Sequence, residues 1–314
     1  MKPLTLAAGL GAAVAAGLLT GSSARALQLP AAPHCPVFPA NNAWNQRVDK
    51  LPVAADSAQL IGAIGLDSPV HADFGSGKWD GGPIGIPFDV VSHKTRRSHV
   101  SFEYADESNR VRYPIPRRVH IEGGAQSTGE RHAILVDKSA CRLYELYDLR
   151  RSKRGWSAGS GATWNLRSNH LRPANWTSAD AAGLPIFPGL ARWDEAARGQ
   201  IDHALRFTAS RTRRAYVYPA RHYASDSTDP SLPPMGLRVR LKASVNVASF
   251  PPQARVVLRA LQRYGMILAD NGSPWYVSGA PNSHWSNDQL HSLGRLTGAD
   301  FEVVDTSSLP EPGK

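Results

Sequence analysis

The residues best placed for chemistry are an imidazole and a carboxylate in one predicted β-hairpin. His132 opens the run Ala133-Ile-Leu-Val-Asp137, Lys138-Ser139-Ala140 interrupts it, and Cys141-Arg-Leu-Tyr-Glu-Leu-Tyr-Asp148 resumes strand-like character. A four-residue connection, Asp137 to Ala140, sets Val136 against Cys141 and Ile134 against Leu143, whereas a three-residue connection sets Val136 against Arg142. The favoured register predicts His132 directly opposite Glu145, with Cβ atoms about 5 Å apart. A carboxylate beside an imidazole orients its tautomer and raises its basicity, as a general acid or base requires. Tyr147 lies two residues further on the same face. Glu122 precedes the pair Gly123-Gly124, where a sugar or a second backbone could come close.

Two reactions suit these groups. Glu122 and Glu145 could flank a glycosidic bond as its two carboxyl groups, about 5 Å apart for retention and further for inversion. Elimination from a uronate would use His132 or Tyr147 as base and a cation such as Arg238 to neutralise the sugar carboxylate. The plainer reading makes His132 and Glu145 a buried pair satisfying each other at the edge of the core. Trp156, Trp164, Tyr144 and Tyr147 crowd the same half of the chain and offer flat faces for sugar rings, although each alone suits a core equally well. His203, within Ile201-Asp-His-Ala-Leu205, reads first as a satisfied core histidine.

Other patterns carry less. Gly155-Trp-Ser157-Ala-Gly159 has the spacing of a nucleophile elbow but lacks the hydrophobic strand before it and the helix after it. Gly75-Ser-Gly-Lys78 lacks the spacing of a phosphate loop, and Asp73-Phe-Gly75 lacks a kinase's companions. His71, Asp73, His99, Glu122 and His132 could converge on a metal, but no H-E-x-x-H or paired-cysteine spacing supports zinc, so no metal or cofactor is assigned.

The elements that must position these groups are mostly strands. Short alternating runs between Gly and Pro punctuate the chain to about Leu166, among them Val100, Phe102 and Tyr104. Leu237, Val239 and Leu241 alternate with Arg238, Arg240 and Lys242, which places three cations about 7 Å apart along one face. That face is either a groove for an anion or a solvated surface. A helix is predicted over 251–264 from the apolar stripe Ala254, Val257, Leu258 and Leu261, with Gly265 as its stop. Shorter helices are expected at 56–64, 190–199 and 287–293, and Asp270-Asn-Gly-Ser-Pro274 reads as a tight turn between two strands. The expected architecture is all-β and mainly antiparallel, a single β-sandwich or jelly-roll-like domain over 51–314 with a few peripheral helices.

Residues 1–26 read as a secretory leader, with Lys2, an apolar stretch from Leu4 to Leu19 and a small-residue cleavage site at Ala24-Arg-Ala26. The expectation is a secreted protein, extracellular or periplasmic, whose arm over 27–50 leads into the domain. Cys35 and Cys141 are the two cysteines of the chain, and an oxidising compartment favours a disulfide between them. No second long apolar run exists to span a membrane. The leader takes Lys2 and Arg25 and no acid, so the formal charge of +10 falls to +8. Clusters at Lys94-Arg96-Arg97, Arg117-Arg118, Arg150-Arg151-Lys153-Arg154 and Arg211-Arg213-Arg214 carry much of it. They serve solubility or an anionic partner such as a uronate polymer, a teichoic acid or an acidic lipid. Nucleic acid is not expected, since no helix-turn-helix, zinc-finger or RNP-like pattern is present.

Pro39-Ala-Asn-Asn-Ala-Trp-Asn45, Tyr113-Pro-Ile-Pro116, the His132–Tyr147 hairpin, Ala181-Ala-Gly-Leu-Pro185, Gly199-Gln-Ile-Asp-His-Ala-Leu205 and Pro234-Met-Gly-Leu-Arg238 together resemble a group of exported bacterial proteins. The resemblance spans nearly the whole chain after the leader. It implies secretion and one domain and carries no activity. From the residues themselves the leading expectation is a carbohydrate-active protein cleaving a polysaccharide or cell-wall polymer by hydrolysis or elimination, and the basic surface leans towards an anionic polymer. Glu145, His132 and Glu122 would stand at the chemistry, and Tyr147, Arg238, Trp156 and Trp164 would bind substrate. The alternative is a glycan- or wall-binding module without chemistry.

Overall fold

Apolar runs that are too short for helices become the strands of two main sheets in a computed structural model, which describes residues 27–314. The leader and its cleavage site lie outside the described residues. Strands hold 25% of the described residues and helices 16%, so the described fold is β-rich. The sheets are mixed, because four of the strand pairings are parallel.

The larger sheet has six strands in the order His71–Asp73, Tyr276–Ser278, Leu205–Ala209, Met266–Asn271, Arg238–Leu241 and Phe301–Val303. Leu205–Ala209 and Met266–Asn271 run parallel at its centre, and every residue of the former is buried. The predicted helix forms over Pro252–Arg263 and packs Ala254, Val257, Leu258 and Leu261 into the same core as Leu205, Phe207, Ile267 and Leu268. Gly265 follows at φ 65°, and a Cβ there would lie 2.2 Å from the Val239 carbonyl oxygen, so only glycine fits the stop.

The second sheet has four strands in the order Ser160–Asn165, Arg142–Tyr147, Ala133–Asp137 and Phe88–Val91. Both of its faces are covered. Ile134, Val136, Leu143 and Trp164 pack on one side with Cys141 and Phe187, while Ala133, Leu135, Tyr144 and Leu146 pack on the other with Val91 and Tyr113. A three-stranded sheet, Val100–Phe102, Gly155–Ala158 and Arg150–Ser152, and the short pair Lys78–Trp79 with Gly82–Pro83 complete the strands described. Among the described residues no helix is long and apolar enough to cross a membrane.

The predicted hairpin forms, but its register differs by two residues. Val136 pairs with Leu143 and Ile134 with Glu145, because the connection is Lys138 to Cys141. Asp137 Oδ1 accepts from the amides of Ser139 (3.0 Å) and Ala140 (3.3 Å), and Cys141 takes φ 48° to close the turn. A slip of two preserves the face of every side chain, where a slip of one would invert it. His132 therefore faces Tyr147, at a ring-centroid separation of 5.8 Å, and Glu145 keeps its face with a different neighbour.

Other expectations change with tertiary context. The strand Leu205–Ala209 lies between Met266–Asn271 and Tyr276–Ser278, so the turn at 270–274 does not close a hairpin. The helix expected over 190–199 shrinks to Trp193–Ala196, bounded by Pro188-Gly189 on one side and Gly199 on the other. The cationic face at Arg238, Arg240 and Lys242 is neither groove nor open surface. Arg238, 6% exposed, donates to the carbonyls of Tyr264 (2.8 Å), Ala43 (3.0 Å) and Gln46 (2.9 Å). Arg240 binds Glu302 at 2.7 Å and the carbonyls of Val48 and Leu51, so these two arginines tie the 43–51 arm to the sheet.

Cys35 and Cys141 form the expected disulfide, 106 residues apart in sequence, and anchor the start of the arm to the hairpin turn. Closing so long a loop constrains the unfolded chain. The double substitution Cys35→Ala/Cys141→Ala is expected to lower stability by up to about 4 kcal/mol, read as a shifted midpoint in urea unfolding.

Candidate functional site

Burial of charge marks the site. Arg206 is the second residue of the wholly buried Leu205–Ala209 strand and is 4% exposed. Its guanidinium clasps Asp180 through Nε (3.0 Å) and Nη2 (2.9 Å), reaches Asp270 at 2.9 Å and donates to Ser278 Oγ at 2.8 Å. One cation thus faces two carboxylates. Burial raises the Asp270 carboxyl, the nearby Asp180 charge raises it further, and Arg206 opposes both, leaving it pushed up to about 8. Its Oδ1 accepts from the Asn271 amide at 2.8 Å, and 13% of its side chain is exposed.

Asp180 belongs to the segment 177–187 that joins the two main sheets. On the side of the larger sheet, Asp180 is held by Arg206 and the Ala182 amide donates to the Ala269 carbonyl at 3.0 Å. On the side of the smaller sheet, Ser160 Oγ donates to the Ser178 carbonyl and His132 Nε2 donates to the Ala179 carbonyl at 2.8 Å. Glu145 accepts from the amides of Ile186 (2.9 Å) and Phe187 (2.9 Å), the first turn of a 3₁₀ segment over Phe187–Gly189. Burial pushes the Glu145 carboxyl up to about 8 against these amides, which pull it down. It is wholly buried and fastens this segment to its sheet.

His132 is 1% exposed, with Nδ1 2.6 Å from Glu122 Oε2 and 3.8 Å from Glu130 Oε2. Both ring nitrogens therefore face acceptors, which only an imidazolium satisfies. Burial alone would lower this histidine, but Glu122, and then Glu130, outweigh it and carry it to about 10. Burial raises the Glu122 carboxyl, and the His132 cation more than offsets this, leaving it below the usual carboxylate range. A permanent imidazolium has no lone pair for a general base. The ligand-type atoms of Glu122, Glu130 and His132 lie within 4.8 Å of one another.

Over this seam lies an open cleft of about 520 Å³. Its walls carry Glu107, Glu130, Asp226 and Asp270, with Asp180 beneath, and among the described residues no Lys or Arg lines it. Tyr104, Tyr147 and the stacked pair His222–Tyr223, centroids 5.0 Å apart, provide ring faces. Asp270 stands at the C-terminal end of a strand in a parallel pair, a common place for ligand chemistry in sheets of this kind.

Of the residues expected at the chemistry or on substrate, Tyr147 alone lines this cleft. Glu122 and His132 lie below Glu130, and Glu145 lies inside the seam. Trp164 is buried beneath Arg172, 5.7 Å from its ring, and Trp156 belongs to the three-stranded sheet. Ser157 pairs within that sheet with Ser101 and Arg150, and another strand follows it in place of the helix an elbow requires. His203 is a core histidine, with Nε2 2.9 Å from Glu195. Arg206, Asp180, Glu130 and Asp270 were not singled out from sequence. The available signal was Arg206, a cation inside an apolar strand-like run. Its partners, 26 and 64 positions away, were invisible without the fold.

No known family model, curated protein or solved structure matches the chain.

Because the folded state raises His132 above the ordinary imidazole value, its contribution to stability is complete below about pH 6.5 and is lost as pH rises towards 10. The His132 ring is expected to remain doubly protonated at pH 8 by NMR, and a neutral ring at pH 7 would contradict the assignment. Glu122→Gln should lower stability by about 1–3 kcal/mol in urea and bring the imidazole transition down towards neutrality.

Proposed function

We propose that the chain is a secreted glycoside hydrolase whose active site is the acidic cleft, with Asp270 as the proton donor and Glu130 as the second carboxylate. The observation that carries this reading is the contrast between these two groups in one cleft. Burial and the Asp180 charge raise the Asp270 carboxyl, whereas Glu130 is half-exposed, 52% of its side chain being accessible, and lies 3.8 Å from the His132 ring. Glycoside hydrolysis requires this division, a carboxylic acid to protonate the leaving oxygen and a carboxylate to activate water or attack the sugar. Water is consumed, the glycosidic C–O bond breaks, and the proton on Asp270 passes to the leaving oxygen. His132 and Glu122 act as positioning residues beneath Glu130, and Glu145 positions the segment that carries Asp180.

The cleft's charge selects the substrate class. A wall of carboxylates without a cation repels uronates and favours neutral or amino sugars, with Tyr104, Tyr147 and Tyr223 against the rings. This shifts the cleft's polymer away from the anionic one considered from composition. Elimination loses support for the same reason, since Arg238 is committed to three backbone carbonyls and no Lys or Arg is among the described residues that line the cleft.

Incubation with a panel of neutral and amino glycans, followed by mass spectrometry of the products, tests the reading. Oligosaccharides carrying an added water are expected, and unsaturated ends would establish elimination instead. Asp270→Asn and Glu130→Gln should each lower kcat about 10²–10⁴-fold with glycan binding retained. Catalysis by a protonated Asp270 predicts that kcat/KM falls as pH rises past about 8. Binding without products from any glycan would identify a binding protein.

A further inference from the structure

A second concave surface has the opposite charge. The three-stranded sheet and the segments 96–99 and 112–117 enclose a groove of about 770 Å³. Its lining includes Arg96, Arg112, Arg117, Arg151, Lys153 and Arg154, and among the described residues no Asp or Glu. Arg97 also lines it but is neutralised by Asp137 at 2.7 Å. The other six are exposed and form no ion pair with a carboxylate among the described residues.

Two contacts orient the cations without discharging them. The Arg151 guanidinium lies 5.3 Å from the centre of the Trp156 ring, and Arg112 Nε donates to His99 Nε2 at 3.1 Å. Stacking on Trp156 holds the planar Arg151 fork while its edge remains free to donate. Six like charges gathered in one concavity repel one another, and a chain of anions relieves that repulsion while its counterions are released. Electrostatics of this kind belongs to polymer recognition, because each exposed charge contributes little alone and several act together on a repeating ligand.

We infer that this groove binds a polyanionic glycan, a polymer of sugar carboxylates, separately from the acidic cleft. The guanidinium fork matches a carboxylate in bidentate geometry. Trp156 is the one Trp, Tyr or Phe in the lining described, which gives no series of platforms for successive nucleobases. The inference goes beyond the hydrolytic reading and does not depend on it: the groove would fix the protein to an acidic matrix polymer while the cleft works on an uncharged or amino glycan.

The test uses the full chain and polygalacturonate, with its fully methyl-esterified form as the uncharged control and single-stranded oligo-dT as the nucleic-acid probe. Titration calorimetry is expected to show binding to polygalacturonate that weakens steeply between low and moderate salt, and none to the methyl ester. Arg151→Ala/Arg154→Ala should weaken it roughly tenfold or more, with melting temperature and glycan cleavage unchanged. Asp270→Asn should bind polygalacturonate as the parent does, so failure of the hydrolytic reading leaves this result intact. Equal binding of the methyl ester, indifference to the double substitution, or tighter binding of oligo-dT would each overturn the inference.

Discussion

The Arg206 guanidinium is the interaction on which the site depends. It lies in the most buried strand of the larger sheet, where an unpaired cation would be prohibitively costly, and Asp180 meets it with two parallel hydrogen bonds. Asp180 brings the segment 177–187 with it. That segment then offers the Ala179 carbonyl to His132 and the Ile186 and Phe187 amides to Glu145, so the smaller sheet is held against the larger through one buried charge. Loss of either partner would leave a charge or a polar group stranded in the interior, which makes the seam strongly interdependent.

The same economy shapes the electrostatics of the cleft. Arg206 can neutralise one of the two carboxylates it contacts, and the geometry gives Asp180 the bidentate share. Asp270 receives one hydrogen bond from the guanidinium and one from the Asn271 amide, while burial and the Asp180 charge raise its carboxyl. A histidine paired with Glu122 lies beneath Glu130. The two carboxyl groups of the proposed site thus have different surroundings, supplied by residues distant in sequence. Charge is also segregated at larger scale. The net positive charge lies away from the acidic cleft, and its densest cluster lines the groove around Trp156.

Much of the fold was legible where a side chain reports its own environment. The stripe Ala254, Val257, Leu258 and Leu261 predicted a helix and its buried face, and the runs at 133–137, 238–241 and 266–271 became strands. The hairpin register was wrong by two, since pairing Val136 with Cys141 and with Leu143 are equally apolar choices and only the Asp137 turn decides between them. An even slip leaves faces intact, so Glu145 was correctly placed inward and incorrectly paired. Arg238 alternated like a solvent-facing strand residue, and the 43–51 arm that buries it joins the sheet from nearly 200 positions away.

By itself the sequence determined those properties that local periodicity and composition control: the β-rich character, the amphipathic helix, the cysteine pair, the basic clusters and the absence of a second long apolar run. Tertiary structure alone decided which charges are solvated and which are paired. It made a fastener of Glu145, paired His132 with Glu122 and Asp270 with Arg206, and brought Arg96, Arg117 and Arg154 into one groove. The physical reason is that a strand pattern specifies which face is buried, whereas the energy of an ionisable group depends on the few charges and carbonyls within several ångströms, and those are supplied by distant parts of the chain.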